Sequence, residues 1–296
     1  EQPYWHCGYI INGILQQKTW YYWMRLGAVK SLTLAEVIYA GSRLIHESCF
    51  IDCLIHGSLT DDSKITNSLK SNLNCSLPDF HLFIALAAEG PSTYGLPFPL
   101  ADPNSAIEVY YRTGRRDSIE ERAMTGLLLQ TISEPFFDQL RTKEQLGYIT
   151  YAAGRNKYDQ IGIRLVIQST KGDPTFLEGR IEDFILKTPQ MIEELSEESF
   201  QDILLAQIAK LRQKKTRLSQ ETALYWDQIL LNSTSWNWAE EDAVYLSAIS
   251  KAQLIQFVGE KFVNSNKLVV QAWPRTATIS PSGTYSADGG PPRLTA

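Results

Sequence analysis

The chain has 296 residues, of which 44% are hydrophobic and 21% charged, and it carries a net charge of -5. That length suffices for two domains with separate cores, and the composition is that of an ordinary soluble globular protein. The acidic balance gives no basic field for a nucleic-acid backbone, and no uncharged apolar run approaches the roughly 18 residues of a membrane span.

Neither a basic n-region nor an apolar h-region follows Glu1, so the chain reads as a fragment and its targeting is left undecided. Thr33 opens an amphipathic helix over 33–45 that leads into "SCFIDCLIHG", predicted to form a buried strand over 49–56. His46, Cys49, Cys53 and His56 are residue types that suit zinc. On a strand, however, Cys49 and Cys53 share one face while the two histidines have the opposite parity. The two cysteines would also lie about 13 Å apart, beyond disulfide reach. Cys7, Cys49, Cys53 and Cys75 are therefore expected to be reduced and structural, which favours a reducing, cytoplasmic compartment. The sequons at Asn74 and Asn232 are then chance matches. A helix near 61–73 follows, and "EGPSTYGLPFPLADPN" (89–104) reads as a linker from its Pro and Gly content.

The next segment, "AIEVYYR" (106–112), alternates as a strand with Ile107, Val109 and Tyr111 on one face. Ser118 and Glu121 have capping-box spacing, opening a helix with Ile119, Ala123, Leu127, Leu128 and Ile132 at helical spacing until Pro135 breaks or kinks it. "GYITYAA" and "IGIRLVIQ" then form a predicted antiparallel hairpin around Gly154, Arg155, Asn156 and Lys157. Helices are expected near 175–190, 197–213, 219–232, 239–248 and 251–262, before a closing strand "KLVVQAW". Hairpins beside runs of helices indicate an α+β fold rather than a doubly wound sheet. The remainder, 276–296, has the composition of a disordered tail.

Residues 29–56 align without gaps on 246–273 at an offset of 217, bringing Thr33 onto Ser250, Val37 onto Leu254, Ile45 onto Phe262 and Cys53 onto Val270. A Ser/Thr N-cap opens a helix that leads into a buried strand in both copies. The repeat implies two related layered domains. The first covers 1–88 and lacks its N-terminal part; the second covers 105–275.

Four histidines are present, none in a metal-binding spacing. Neither His-Glu-x-x-His nor His-x-x-Glu-His occurs, and there is no phosphate-binding Gly-rich loop or nucleophile elbow. "SEPFFDQLRTKEQLGYITY" (133–151) places Arg141 and Tyr148 at a polar turn between a helix and a strand, where sites are commonly built. Arginine offers fixed donors and a permanent charge for a carbonyl or carboxylate, and a phenol donates to a developing oxyanion. The plainer alternative is that Arg141 caps a helix C-terminus and Tyr148 packs. In "KLRQKKTRLS" (210–219), Lys214, Lys215 and Arg217 precede Ser219, read as a helix N-cap, so cations and backbone N–H groups could converge on an anion. A solvated helix end is the competing reading.

"SEPFFDQLRTKEQLGY", with "IGIRLVIQS", "IEVYYRTG" and "LIHGSLT", resembles the C-terminal half of the insulin-degrading-enzyme and nardilysin subfamily of pitrilysin-type zinc metallopeptidases, over residues 1–273. In that family four homologous α+β domains, of the mitochondrial-processing-peptidase type, form two halves that close around a peptide. The resemblance makes 1–88 the end of the third domain, 89–104 a linker and 105–275 the fourth. It implies substrate and transition-state roles for Arg141 and Tyr148, with zinc bound by the N-terminal half, outside this chain. It also implies peptide substrates, the N-terminal half as partner, and a nucleotide or polyanion at Lys214, Lys215, Arg217 and Ser219; a homodimer stays open. The rival readings are a catalytically silent structural subunit of the same fold and an anion-sensing module. By itself the chain is expected neither to bind zinc tightly nor to hydrolyse peptides; elemental analysis finding stoichiometric zinc in the dialysed, tag-free chain would contradict this.

Overall fold

The computed structural model describes residues 2–16, 19–46, 52–58, 61–72, 92–97, 102–231, 233, 235–274 and 293–294. In chain order the elements are α1 (Pro3–Ile14), α2 (Tyr22–Ser31), α3 (Leu34–His46), α4 (Ser63–Asn72), β1 (Ser92–Pro97), β2 (Ser105–Arg115) and α5 (Ile119–Phe137). A π-helical turn (Asp138–Lys143) continues α5 and leads to β3 (Ile149–Lys157) and β4 (Gln160–Ser169). Then come α6 (Pro174–Glu193), α7 (Glu197–Leu211), α8 (Leu218–Leu230), α9 (Trp238–Leu246) and α10 (Lys251–Val258), the last extended by a second π-helical turn (Gly259–Val263), before β5 (Lys267–Trp273) and β6 (Arg293–Leu294).

Helix starts follow from local polar chemistry. Ser118, Asp173, Ser196 and Ser250 each accept a backbone N–H three residues on, which satisfies a donor that the helix cannot. Only Ser250 with Gln253 closes a full capping box among these starts; the Glu121 side chain bonds the Arg115 N–H instead of reaching back to Ser118.

The residues divide into two compact units that interleave along the chain. One comprises 1–19, 84–213 and 237–296; the other comprises 20–83 and 214–236. The first unit is built on a mixed sheet of order β3-β4-β2-β5-β1-β6. Its β2, β3, β4 and β5 pair antiparallel, while β1 runs parallel to β5. The fold is α+β.

Strand alternation gives this sheet two unlike faces. Ile107, Val109 and Tyr111 enter an apolar core with Ile163, Leu165, Ile167 and Val269, packed by Leu127, Leu128 and Ile132 of α5, Ile181 of α6, Phe200 of α7 and Leu254 of α10. The other face mixes polar and apolar residues, with Glu108 of β2 set between buried Val166 and Val270, and is covered by α1, which packs on β2, β4 and β5. There Arg155 of β3 pairs with buried Glu108 of β2 and donates to the Asn12 side chain of α1 at 2.6 Å. The Cys7 thiol of α1 donates to the Ala106 carbonyl at 3.7 Å, and Gln168 of β4 bonds both the Tyr4 N–H and the Gln2 side chain. Burial pushes the Glu108 carboxyl up, against the pull of Arg155 and Arg164. It also pushes the Cys7 thiol well up, so Cys7 is an inert structural thiol.

In the second unit, α8 meets the 52–58 segment through His56, whose Nδ1 lies 2.8 Å from the Thr222 hydroxyl and whose ring stands edge-on to Tyr225.

Several sequence expectations need correction. The buried strand over 49–56 is not found in its described part: residues 52–56 are irregular and Cys53 is exposed. A strand exists only through a paired neighbour, and an apolar run cannot supply one. Cys49, Cys75, Asn74 and Asn232 lie outside the described residues. Of the repeat, the helix half is present in both copies, but Val37, matched to buried Leu254, is 54% exposed. Ser92–Pro97, within the stretch read as a linker, is strand β1 on the edge of β5, and Arg293–Leu294, within the expected tail, pairs with β1. Pro135 does not end its helix: α5 runs to Phe137 and widens into the π-helical turn. Gly154 to Lys157 are strand, and the hairpin turns at Tyr158 and Asp159, with Tyr158 at φ +48°. No glycine marks that turn, so composition alone misplaced it.

Because Arg155 and Glu108 are both buried, removing one partner leaves an uncompensated charge. Arg155→Ala is expected to lower stability by about 3–5 kcal/mol, whereas replacing the pair together by apolar residues of similar volume should cost far less. Urea unfolding of the single and double variants reads the difference; equal losses would mean that the pair is only packing.

Candidate functional site

The stretch from Phe137 to Tyr148 carries the residues singled out by the sequence. Arg141 projects from the π-helical turn and its guanidinium lies over two aromatic rings, 4.7 Å from the Phe137 centroid and 5.2 Å from that of Tyr148. The structure therefore brings Arg141 and Tyr148 together, the cation against the ring face that attracts it. Tyr148 is 82% exposed: its ring is braced by an arginine and is not core.

The backbone that sets this geometry is tightly specified. A Cβ on Gly147 would lie 1.9 Å from the Gln168 carbonyl oxygen, so only glycine permits the approach to β4. The Ser169 hydroxyl donates to the Leu146 carbonyl, and the Leu146 N–H donates to the Leu140 carbonyl at 3.0 Å. Between them Gln145 takes φ +54°, a conformation that non-glycine residues adopt only where neighbours impose it. Single π-helical turns are likewise rare and often sit at functional sites.

Glu144, next to Gln145, accepts from Arg180 of α6 through both Nε and Nη2 at 2.7 Å, and from the Gln139 side chain at 2.8 Å. Hydrogen bonding from Arg180 holds its carboxyl below the usual carboxylate range. Sequence reading missed Glu144, Arg180, Glu108 and Arg155. For Glu108 and Arg155 the available signal was parity, a charged residue alternating with apolar ones on a strand. For Arg180 and Glu144, 36 residues apart, no local signal existed.

A cavity of about 540 Å³ opens between this turn and α6, lined by Glu134, Leu140, Arg180, Phe184, Lys187 and Met191 among others. Neither Arg141 nor Tyr148 lines it.

The basic strip is placed differently from expectation. Arg217, not Ser219, occupies the N-cap of α8 and provides no side-chain cap; Ser219 lies inside the first turn. The sequence put a Ser at the cap because its side chain suits that position, but the helix starts two residues too early for it. Lys214, Lys215, Arg217 and Ser219 are all exposed. Arg212, just before them, is held as a fork on Glu240 at 2.9 and 2.6 Å. Among the described residues no three His, Cys, Asp or Glu side chains gather as a metal site. No helix among them is long and apolar enough to cross a membrane.

Residues 127–226 match a family described as PQQ synthase PqqF-like, C-terminal lobe domain 4. Human insulin-degrading enzyme is 30% identical over 88% of this chain and 26% of its own length. The A-factor-processing enzyme of Saccharomyces cerevisiae is 29% identical over 91% of the chain and 27% of its own length. A crystal structure of pitrilysin superposes with a TM-score of 0.79 at 19% identity, over 95% of this chain and 30% of that one. The chain thus spans about a quarter of the length of the curated relatives it matches. Over the region it covers, the chain is homologous to insulin-degrading enzyme and to a nardilysin-like protein of Arabidopsis thaliana, and it shares the fold of pitrilysin.

Proposed function

We propose that this chain is the non-zinc-binding C-terminal half of a zinc metalloendopeptidase that degrades small peptides in a closed chamber, and that it supplies substrate-binding and transition-state groups to it. The observation that carries the reading is the pairing of Arg141 with a Tyr148 whose ring is 82% exposed. A large aromatic side chain so exposed, braced by a cation and set on a backbone with no slack, is built to meet something outside the chain. The family relationship supplies the reaction class.

In this reading the Tyr148 hydroxyl donates to the oxyanion that forms on the scissile carbonyl, where donors fixed beforehand count most. Arg141, already stacked, presents its remaining N–H groups to a substrate carbonyl. Zinc, held by residues outside this chain, would supply the activation of the attacking water. The exposed Lys214, Lys215 and Arg217 provide the place where a nucleotide or polyphosphate would bind.

The test is steady-state cleavage of a short quenched peptide by the full-length protein, with metal content and thermal melting measured alongside. Tyr148→Phe is expected to lower kcat and kcat/KM alike by on the order of a hundredfold. Arg141→Ala should also raise KM, and Arg141→Lys should rescue poorly because it lacks the planar fork. A folded, zinc-loaded and fully active Tyr148→Phe enzyme would return Tyr148 to a structural role.

A further inference from the structure

We infer that Glu144 and Arg180 are positioning residues for the Arg141–Tyr148 pair, acting as a clamp between α6 and the turn that carries Arg141. The inference rests on the proposed role of that pair and adds the device that holds it in place.

The turn has two fastenings. On the far side, Leu146 and Gly147 are fixed to the end of β4 by the Ser169 hydroxyl and by the close approach to Gln168. On the near side the fastening is Glu144. Its carboxylate receives three donors, two from the Arg180 fork and one from Gln139, while its own N–H donates to the Gln139 carbonyl at 3.0 Å. Gln139 and Glu144 thus close a ring of chain around Arg141. Arg180 is itself steered by Asp183, one turn along α6, and α6 is seated in the core through Leu177, Ile181 and Ile185. The clamp therefore transmits the position of a packed helix to an otherwise irregular segment.

The geometry argues for position over stability. Arg180 and Glu144 keep 27% and 18% of their side-chain surface accessible, and neither belongs to the apolar core, so the fold rests on other contacts. A bidentate fork nevertheless fixes direction as well as distance. It also stands immediately before Gln145 at φ +54°, a conformation that persists when the residues on either side are held. Without the clamp the segment from 144 to 148 is fastened at one end only, and Tyr148 loses its fixed distance from Arg141.

The experiment uses the full-length protein and compares Arg180→Ala and Glu144→Gln in two backgrounds, wild type and Arg141→Ala/Tyr148→Phe, with the two parent single variants as controls. In wild type each substitution is expected to lower kcat/KM on the order of tenfold, mostly in kcat, because small misplacements of a reacting group are costly. Melting should hardly change, and amide hydrogen exchange over 146–148 should accelerate. Arg180→Lys should rescue poorly. In the Arg141→Ala/Tyr148→Phe background the same substitutions should leave the residual kcat/KM about unchanged, since nothing is left to position. An equal fall in both backgrounds, or full activity of the wild-type-background variants while Tyr148→Phe is impaired, overturns the clamp alone. Full activity of both parent single variants overturns the proposed function and the clamp with it.

Discussion

The approach of Gly147 to the Gln168 carbonyl is the constraint on which the functional face of this fold depends. At that point the chain leaving the π-helical turn lies so close to β4 that no side chain fits. Everything downstream inherits the contact: the register of β3 against β4 begins two residues later, with Ile149 opposite Gln168, and the direction of Tyr148 is set between the two. Gln168 serves both sides at once, since its carbonyl faces Gly147 while its side chain holds the first turn of α1. The exposed pair is thereby referred to the same strand end as α1.

The charged pair on the face covered by α1 is the second organising feature. A sheet buried on both sides would be expected to carry apolar residues on both, yet β2 alternates Ile107, Val109 and Tyr111 with Glu108 and Tyr110. The Glu108–Arg155 pair, with Asn12 completing it, lets a charged strand position be covered by a helix. Such a pair selects one seat for α1 more than it strengthens the fold: an apolar helix face slides on an apolar sheet at small cost, whereas moving Asn12 and Gln168 off their partners leaves buried groups unmatched.

Much of the fold was legible in the sequence because it is written in local periodicities. The alternation of "AIEVYYR", the helical spacing of Ala123, Leu127, Leu128 and Ile132, and the N-caps Ser118 and Ser250 all depend on neighbours in the chain, and all are found. What was misplaced depends on distant partners. Strand β1 exists because β5 lies beside it, the 52–56 segment lacks such a partner among the described residues, and the hairpin turn moved to Tyr158 and Asp159 because pairing, not composition, sets its place. The candidate site divides the same way. Arg141 and Tyr148 stand seven residues apart in a patterned stretch and could be read; Arg180 meets Glu144 only through tertiary packing and could not.

The two faces of the sheet also differ in how far along the chain their partners lie. The apolar face is closed by α5, α6, α7, α9 and α10, which lie between β2 and β5 in the chain. Helix α1 must find β2 about 100 residues later and β5 some 260 residues later, and loop closure over such distances is slow and entropically costly before any contact compensates it. Its contacts join buried Cys7, Ile10 and Ile11 to the hydrogen bonds made by Asn12 and the Tyr4 N–H, and none of them can form until those distant strands are in place. The expected consequence is an order of assembly in which the layer of α5, α6, α7, α9 and α10 with β2, β4 and β5 forms first and α1, whose partners lie furthest along the chain, docks afterwards.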